Sequence, residues 1–172
     1  MNLKIINVDN GNNNYPGNFC KKEIEIIKKN ILPGLSLNLF SGKSSLGNVR
    51  IDYSFGNFKM NVFNYLNSLS SKNEIEYIDF KTVIIDFPYN DKFAKKYQKI
   101  GNTPKQFIGF ANTKDTTILF NHLIRLEPKR IIIKSWNYYI VKGYKLKKGY
   151  LCYPGGYRKS TLLLIMDKIG VD

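Results

Sequence analysis

Short apolar segments separated by turns recur along the chain and predict a sheet of several strands. Residues 35–40 alternate between apolar and polar side chains, as in a strand with one buried face. Residues 82–85 and 130–134 are more continuously aliphatic, which is typical of strands buried on both faces. Residues 144–153 and 160–166 predict the two strands of an antiparallel hairpin, joined by a Gly-Gly turn.

Segments with helical spacing of apolar residues lie between these strands. Residues 24–27 follow a Pro-Gly turn and predict an amphipathic helix, and residues 116–126 predict another. Residues 60–66 open a further helix, for which Asn61 is suited as the cap. One more short strand is predicted at residues 49–52, and strands interspersed with helices favour the α/β class.

The most specific candidate chemistry directly follows the apolar run at residues 82–85, in the sequence Asp86, Phe87, Pro88 and Tyr89. Ligands of open α/β sheets bind beyond the carboxyl ends of strands, which is where these residues are expected. A carboxylate and a backbone carbonyl accept hydrogen bonds from an exocyclic amine, and an aromatic face stacks on a base. A plain strand followed by a proline turn is the simpler interpretation.

This stretch resembles motif IV, usually Asp-Pro-Pro-Tyr, of the S-adenosylmethionine-dependent amino-methyltransferases of DNA, in particular their small archaeal and viral members. The resemblance implies that Asp86 and the carbonyl of Phe87 hold the target amine, that Pro88 shapes the turn, and that Tyr89 stacks on a flipped base. Phe87 replaces the first proline of the usual motif, so the fixed backbone dihedral of proline is lost there.

A segment resembling the cofactor loop of the same family, motif I, follows the strand at residues 35–40. The resemblance implies that Phe40, Ser41 and Gly42 contact S-adenosylmethionine, because a glycine turn lets the backbone approach the cofactor. Asp52, at the end of the next strand, stands where related folds use an acid to hold the ribose hydroxyls. A surface aspartate at a strand end is the alternative.

Two further segments resemble cofactor motifs. Asn61 has the position of motif III, where its amide oxygen would accept a hydrogen bond from the adenine amine of the cofactor, although a simple helix cap explains it equally well. Tyr15, Pro16 and Phe19 resemble the turn of motif X, which leads into a helix lining the cofactor pocket. A Pro-Gly turn before an amphipathic helix is the alternative for these residues.

The resemblance spans residues 15–167 and implies a Rossmann-like class I methyltransferase fold. That fold is α/β, with a mainly parallel seven-stranded sheet, an antiparallel hairpin at one edge and helices on both faces. We therefore expect a flexible segment over residues 1–14 and a single methyltransferase domain over residues 15–172, without a separate target-recognition domain. Recognition of a nucleic-acid sequence would then be relaxed, or would come from a homodimer or a separate specificity subunit.

Composition favours a polyanionic partner. The chain of 172 residues has 27 Lys plus Arg against 13 Asp plus Glu, a formal net charge of +14, which points to nucleic acid. No apolar stretch approaches the about 20 residues of a membrane helix, and no signal-peptide core is evident, so we expect a soluble, cytoplasmic protein, in the host cytoplasm if viral. Cys20, Cys152 and His122 form no metal-binding or disulfide pattern; packing roles are expected for the two cysteines, and a solvated or packed role for His122.

Cations close to the candidate chemistry are the expected phosphate contacts; they are Lys92, Lys95, Lys96, Lys99, Lys105, Arg158 and Lys159. A solvated helix face or hairpin loop is the simpler interpretation. The expected reaction is methyl transfer from S-adenosylmethionine to a base amine, N6 of adenine in DNA, without a metal. An RNA base methyltransferase, a non-catalytic nucleic-acid-binding module with the same fold, and a basic structural protein are the alternatives.

Overall fold

A computed structural model describes residues 3–8, 19–70, 78–86, 113–154 and 160–170. These residues form one eight-stranded sheet and the helices packed on it. Its strands are β1 (Leu3–Asn7), β2 (Leu35–Leu39), β3 (Val49–Asp52), β4 (Phe58–Lys59), β5 (Phe80–Asp86), β6 (Arg130–Ser135), β7 (Tyr144–Tyr153) and β8 (Thr161–Lys168). The helices within the described ranges are α1 (Lys21–Lys28), α2 (Val62–Ser70) and α3 (Thr113–Leu126).

The strand order is β1-β7-β8-β6-β5-β2-β3-β4. Within this sheet β8 is antiparallel to both of its neighbours, and all other neighbouring pairs are parallel. From β2 the chain adds β3 and β4 on one side, and β5 and β6 follow on the other side. The strand order therefore reverses between β2 and β5, and open sheets of parallel strands bind ligands beyond the carboxyl ends of strands at such a point.

The predicted seven-stranded layout with an edge hairpin is wrong. The structure is a strand-rich mixed sheet of eight strands, in which the hairpin of β7 and β8 is internal because β1 pairs in parallel with β7, from Leu3 opposite Gly149 to Asn7 opposite Tyr153. Residues 3–7 lie in the segment predicted to be flexible, yet they satisfy the backbone groups along the outer side of β7. The fold is thus not the helix-rich Rossmann-like layout that the methyltransferase resemblance implies.

The individual strands and helices agree better with the sequence pattern. All six residues of β6 are buried, as its three consecutive isoleucines indicate, and β7 and β8 pair as the predicted antiparallel hairpin. Helix α1 begins after Cys20, whose thiol and backbone form a capping box with Glu23. The amphipathic helix predicted around residues 24–27 is therefore confirmed, with Ile27 fully buried.

Two apolar layers lie on opposite faces of the sheet, because successive residues of a strand point to opposite sides. Val83, Ile85 and Ile131 belong to the layer that also contains side chains of α2 and α3. Ile84 and Ile132 belong to the other layer, with Ile27 of α1. Helix α1 therefore covers the face toward which Ile84 and Ile132 point.

An ion pair anchors the carboxyl-terminal end of α1 to the sheet. Arg130 of β6 donates to both carboxylate oxygens of Asp167 in β8, at 2.6 and 3.0 Å, and its third nitrogen donates to the carbonyl of Asn30 at 2.9 Å. Such a bidentate pair fixes geometry as well as charge. Lys147 also contacts the Asp167 carboxylate, at 2.8 Å.

Acid is expected to weaken the fold through Asp167. Partial burial alone would raise the pKa of Asp167, but hydrogen bonds and charge from Arg130 and Lys147 outweigh burial and lower it below the ordinary 3.8. A depressed carboxyl pKa stabilises the protein at higher pH, and the stabilisation is lost as the pH falls below about 4 through the folded-state value. Denaturant titrations should show a shallower acid loss in Asp167→Asn than in wild type; equal slopes would contradict this assignment.

Candidate functional site

The candidate cofactor turn and the candidate catalytic acid lie at the carboxyl ends of two neighbouring strands, β2 and β5. Leu39 of β2 pairs with Ile85 of β5, so that Phe40 and Asp86 follow at adjacent strand ends. Neighbouring strands lie about 4.8 Å apart. The sequence-predicted turn at Gly42 and the acid at Asp86 are therefore brought together where the strand order reverses.

The turn after β2 has an unusual backbone. Phe40 has φ 59° and Gly42 has φ 51°, both in the left-handed region. For a residue with a side chain, this conformation costs about 1–2 kcal/mol, so Phe40 is held there by its surroundings. Ser41 donates its backbone N–H to the carbonyl of Ile51 at 3.1 Å, which ties the turn to β3. The Ser41 side chain is buried, and its hydroxyl has no hydrogen-bond partner among the described residues.

Asp52 organises this turn from the end of β3. One carboxylate oxygen accepts the backbone N–H of Gly42 at 3.0 Å, and the other accepts those of Ser54 and Phe55 at 2.9 and 3.0 Å. A carboxylate offers about four acceptor positions, so one position remains on the oxygen that faces Gly42. Asp52 fits a single hydroxyl of a bound ribose, and it is primarily the residue that shapes the loop.

Asn61 acts as the cap of α2. Its side-chain oxygen accepts the backbone N–H groups of Phe63 at 2.8 Å and Asn64 at 3.2 Å. Both lone pairs of that oxygen are thereby used, so the oxygen has none left for the adenine amine that the motif III resemblance implies. Of the two interpretations of Asn61, the helix cap is the one observed, and only the amide N–H groups remain to contact a ligand.

A buried ion pair that the sequence did not predict lies beside Asp86. It joins Glu23 and Lys134, and we call it the Glu23–Lys134 pair. Lys134 of β6 pairs in register with Asp86, and its ammonium lies 2.9 Å from a carboxylate oxygen of Glu23 in α1. Both side chains are nearly inaccessible, with 6% of Lys134 and 3% of Glu23 exposed. Glu23 also accepts from the backbone N–H of Cys20 at 2.8 Å and from the Thr161 hydroxyl at 3.4 Å.

Titration behaviour follows from these contacts. Burial by itself lowers the pKa of Lys134, but the negative charges of Asp86 and Glu23 outweigh it and raise that pKa above its ordinary value, so Lys134 is charged at neutral pH. Burial, reinforced by the charge of Glu23, raises the thiol pKa of Cys20 and of Cys152. Both thiols are protonated near neutral pH, which fits packing roles rather than nucleophilic ones.

His122 lies on α3, and its side chain is buried. Burial and the charge of nearby Arg125 lower its pKa below the ordinary 6.5. Of the two roles expected from the sequence, solvated or packed, the buried imidazole has the packed one. Within the described ranges, no group of three or more His, Cys, Asp or Glu side chains could hold a metal ion.

Of the three residues that resemble motif X, only Phe19 lies within the described residues. It is a core residue, and its ring centre lies 5.1 Å from the Lys134 ammonium. The other motif X residues, the rest of motif IV and the proposed phosphate contacts lie outside the described residues; they are Tyr15, Pro16, Phe87, Pro88, Tyr89, Lys92, Lys95, Lys96, Lys99, Lys105, Arg158 and Lys159. The assembled part of the candidate site is therefore Phe40 to Gly42, Asp52 and Asp86.

Helices in the described part of the chain are too short or too polar to cross a membrane. A scan against protein-family models finds no match, and searches of curated proteins and of solved structures find none either. Function is accordingly inferred from the residues and their geometry.

Proposed function

We propose that the protein transfers a methyl group from S-adenosylmethionine to an exocyclic amine of a nucleic-acid base, with N6 of adenine in DNA as the target. One observation carries this proposal: the Gly42 turn and Asp86 lie at adjacent ends of β2 and β5, where the strand order reverses. A cofactor on the turn and a base at the acid would meet there. The proposal depends on this local geometry and on the motif IV resemblance, and not on the predicted fold.

The residues around the turn fit the cofactor. Buried hydroxyls are normally hydrogen-bonded, so the unpartnered hydroxyl of Ser41 suits a polar group of a ligand. The free acceptor position of Asp52 suits a ribose hydroxyl, and Gly42, itself buried, supplies the left-handed backbone that bends the turn toward Asp52. When bound, the cofactor would supply an electrophilic methyl group on a sulfonium.

Asp86 would work by orienting the amine. Its carboxylate accepts an N–H of the target, which draws the nitrogen lone pair out of conjugation and aims it at the methyl carbon. The nitrogen lone pair forms the new N–C bond, the electron pair of the broken S–C bond remains on sulfur, and an amine proton leaves to water. Positioning of this kind supplies most of the catalysis in a displacement that needs no covalent help from the protein.

A base in a duplex must first be extruded, at a cost of a few kcal/mol. The motif IV resemblance assigns Tyr89 to stack on the extruded base, which is worth about 1–3 kcal/mol and offsets much of that cost. The formal net charge of +14 supports a nucleic-acid substrate, since phosphates dominate such affinity. We propose the cytoplasm as the compartment in which this substrate is met.

Incubation of the purified protein with radiolabelled S-adenosylmethionine and either DNA or RNA, followed by digestion to nucleosides, tests the proposal. We expect label in N6-methyldeoxyadenosine, because Asp-led motifs are commoner in the adenine enzymes of the resembled family. Label in an RNA nucleoside would move the same chemistry to RNA. Cofactor binding by calorimetry without any transfer would favour a non-catalytic module, and absence of binding to S-adenosylmethionine or its demethylated product would contradict the proposal.

A further inference from the structure

We propose that Lys134 is a positioning residue for Asp86 and that Glu23 holds Lys134 in place, so that an ammonium buried between two carboxylates keeps the catalytic acid ionised and oriented. This inference rests on the proposed role of Asp86. It goes beyond that role because it names residues on β6 and α1 that never touch the substrate.

Strand register places the two side chains together. Asp86 and Lys134 are direct partners in the parallel pair of β5 and β6, so their side chains leave the same face of the sheet. Two residues earlier, the partners Ile84 and Ile132 point to that face and pack in the same layer as Ile27 of α1. Asp86 and Lys134 therefore follow Ile84 and Ile132 on this face of the sheet, at the strand ends next to the β2 turn.

The ammonium of Lys134 is fixed rather than mobile. It is 2.9 Å from Glu23 and lies over the ring of Phe19, 5.1 Å from the ring centre. Glu23 is itself held by its capping box with Cys20, in which each residue's backbone N–H donates to the other's side chain, at 2.8 and 3.4 Å. A charge held this firmly can orient a neighbouring carboxylate.

Glu23 alone neutralises the buried ammonium of Lys134. The attraction between Lys134 and Asp86 is therefore additional, and it acts at the half-buried end of β5. Two further titratable groups near the ammonium, within the described residues, are the thiols of Cys20 on α1 and Cys152 on β7. Burial raises the pKa of both, so they add no charge near neutral pH. Thr161 on β8 contributes only a hydroxyl. Ionised Asp86 offers acceptor positions on both carboxylate oxygens, whereas protonation would turn one of them into a donor.

The test is a pair of matched double variants. Lys134→Met with Glu23→Gln removes both charges and leaves neither buried alone, which avoids the cost of an unpaired buried ion. Arg130→Met with Asp167→Asn removes the other ion pair of the same strand and face, four residues and about 13 Å from Lys134. Lys134→Arg keeps the positive charge and serves as the conservative variant.

Titration of the Asp86 carboxyl, followed by carbon-13 NMR, is the first measurement. The midpoint should move to higher pH in the Lys134→Met/Glu23→Gln variant, remain near wild type in Lys134→Arg, and remain unchanged in the Arg130→Met/Asp167→Asn variant. In methyl transfer, kcat should fall by about 10- to 100-fold in the first variant only, while KM for nucleic acid and affinity for S-adenosylhomocysteine change less than about twofold.

An unchanged Asp86 midpoint without Lys134 would overturn the inference, as would an equal loss of kcat in the Arg130→Met/Asp167→Asn variant, which would show a merely structural effect. The titration needs no catalysis. A wild-type protein that lacks transferase activity would therefore contradict the proposed function, whereas only the titration decides whether Lys134 controls Asp86.

Discussion

Asp86→Ala is expected to reduce methyl transfer by at least about 100-fold, the loss typical when a preorganised hydrogen-bonding group is removed from a reacting centre. Alanine leaves the target amine without its carboxylate acceptor, so the nitrogen is neither activated nor aimed. The proposed cofactor contacts lie on the turn after β2 and at the end of β3, not on β5. Affinity for S-adenosylmethionine, measured by calorimetry, should therefore change little.

Two companion variants sharpen this prediction. Asp86→Asn keeps an acceptor oxygen and should retain part of the activity, because the amine needs an acceptor rather than a strong base. Asp79→Ala is the matched control, since Asp79 is an exposed carboxylate beside the opposite end of β5, where it pairs with Lys81. Equal transfer rates for Asp86→Ala and Asp79→Ala would remove the chemical basis of the motif IV resemblance.

The central strands could be predicted from the sequence because they are buried on both faces. In β6 every residue is buried, so the chain must be aliphatic there, and the pattern is visible locally. Strand β1 gives no such signal, since it lies at the edge of the sheet and Ile5 is 74% exposed. Its partner strand begins pairing at Gly149, near the other end of the sequence. A pairing at that distance along the sequence leaves no local pattern, which is why the strand number and the position of the hairpin were wrong.

The same distinction applies to the site. The closeness of Gly42 and Asp86 could be predicted, because both follow apolar strands and the ends of parallel strands share one edge. The Glu23–Lys134 pair could not, since its members are 111 residues apart and each resembles an ordinary surface charge in the sequence. Asn61 shows the competition between local and distant partners: backbone N–H groups two and three residues ahead take its oxygen at once.

Phe80→Ala is expected to lower the free energy of unfolding by about 3–5 kcal/mol, the usual cost of removing a fully buried aromatic side chain. Phe80 is 1% exposed and belongs to the apolar layer between the sheet and helices α2 and α3. The smaller side chain loses the transfer free energy of the ring and leaves a cavity that the close-packed neighbours fill only in part. Urea titration should show a lower midpoint with an unchanged slope.

Phe58→Ala is the matched control for this truncation. Phe58 is 48% exposed on the edge strand β4, where its ring centre lies 6.3 Å from that of Tyr65, so its loss should cost no more than about 1 kcal/mol. Phe80 begins β5, six residues and about 20 Å from Asp86, so the Phe80→Ala protein should still transfer methyl groups below its unfolding transition. Equal destabilisation by the two changes would mean that the edge strand carries as much of the fold as the central layer, because only a residue packed on all sides leaves a cavity when it is truncated.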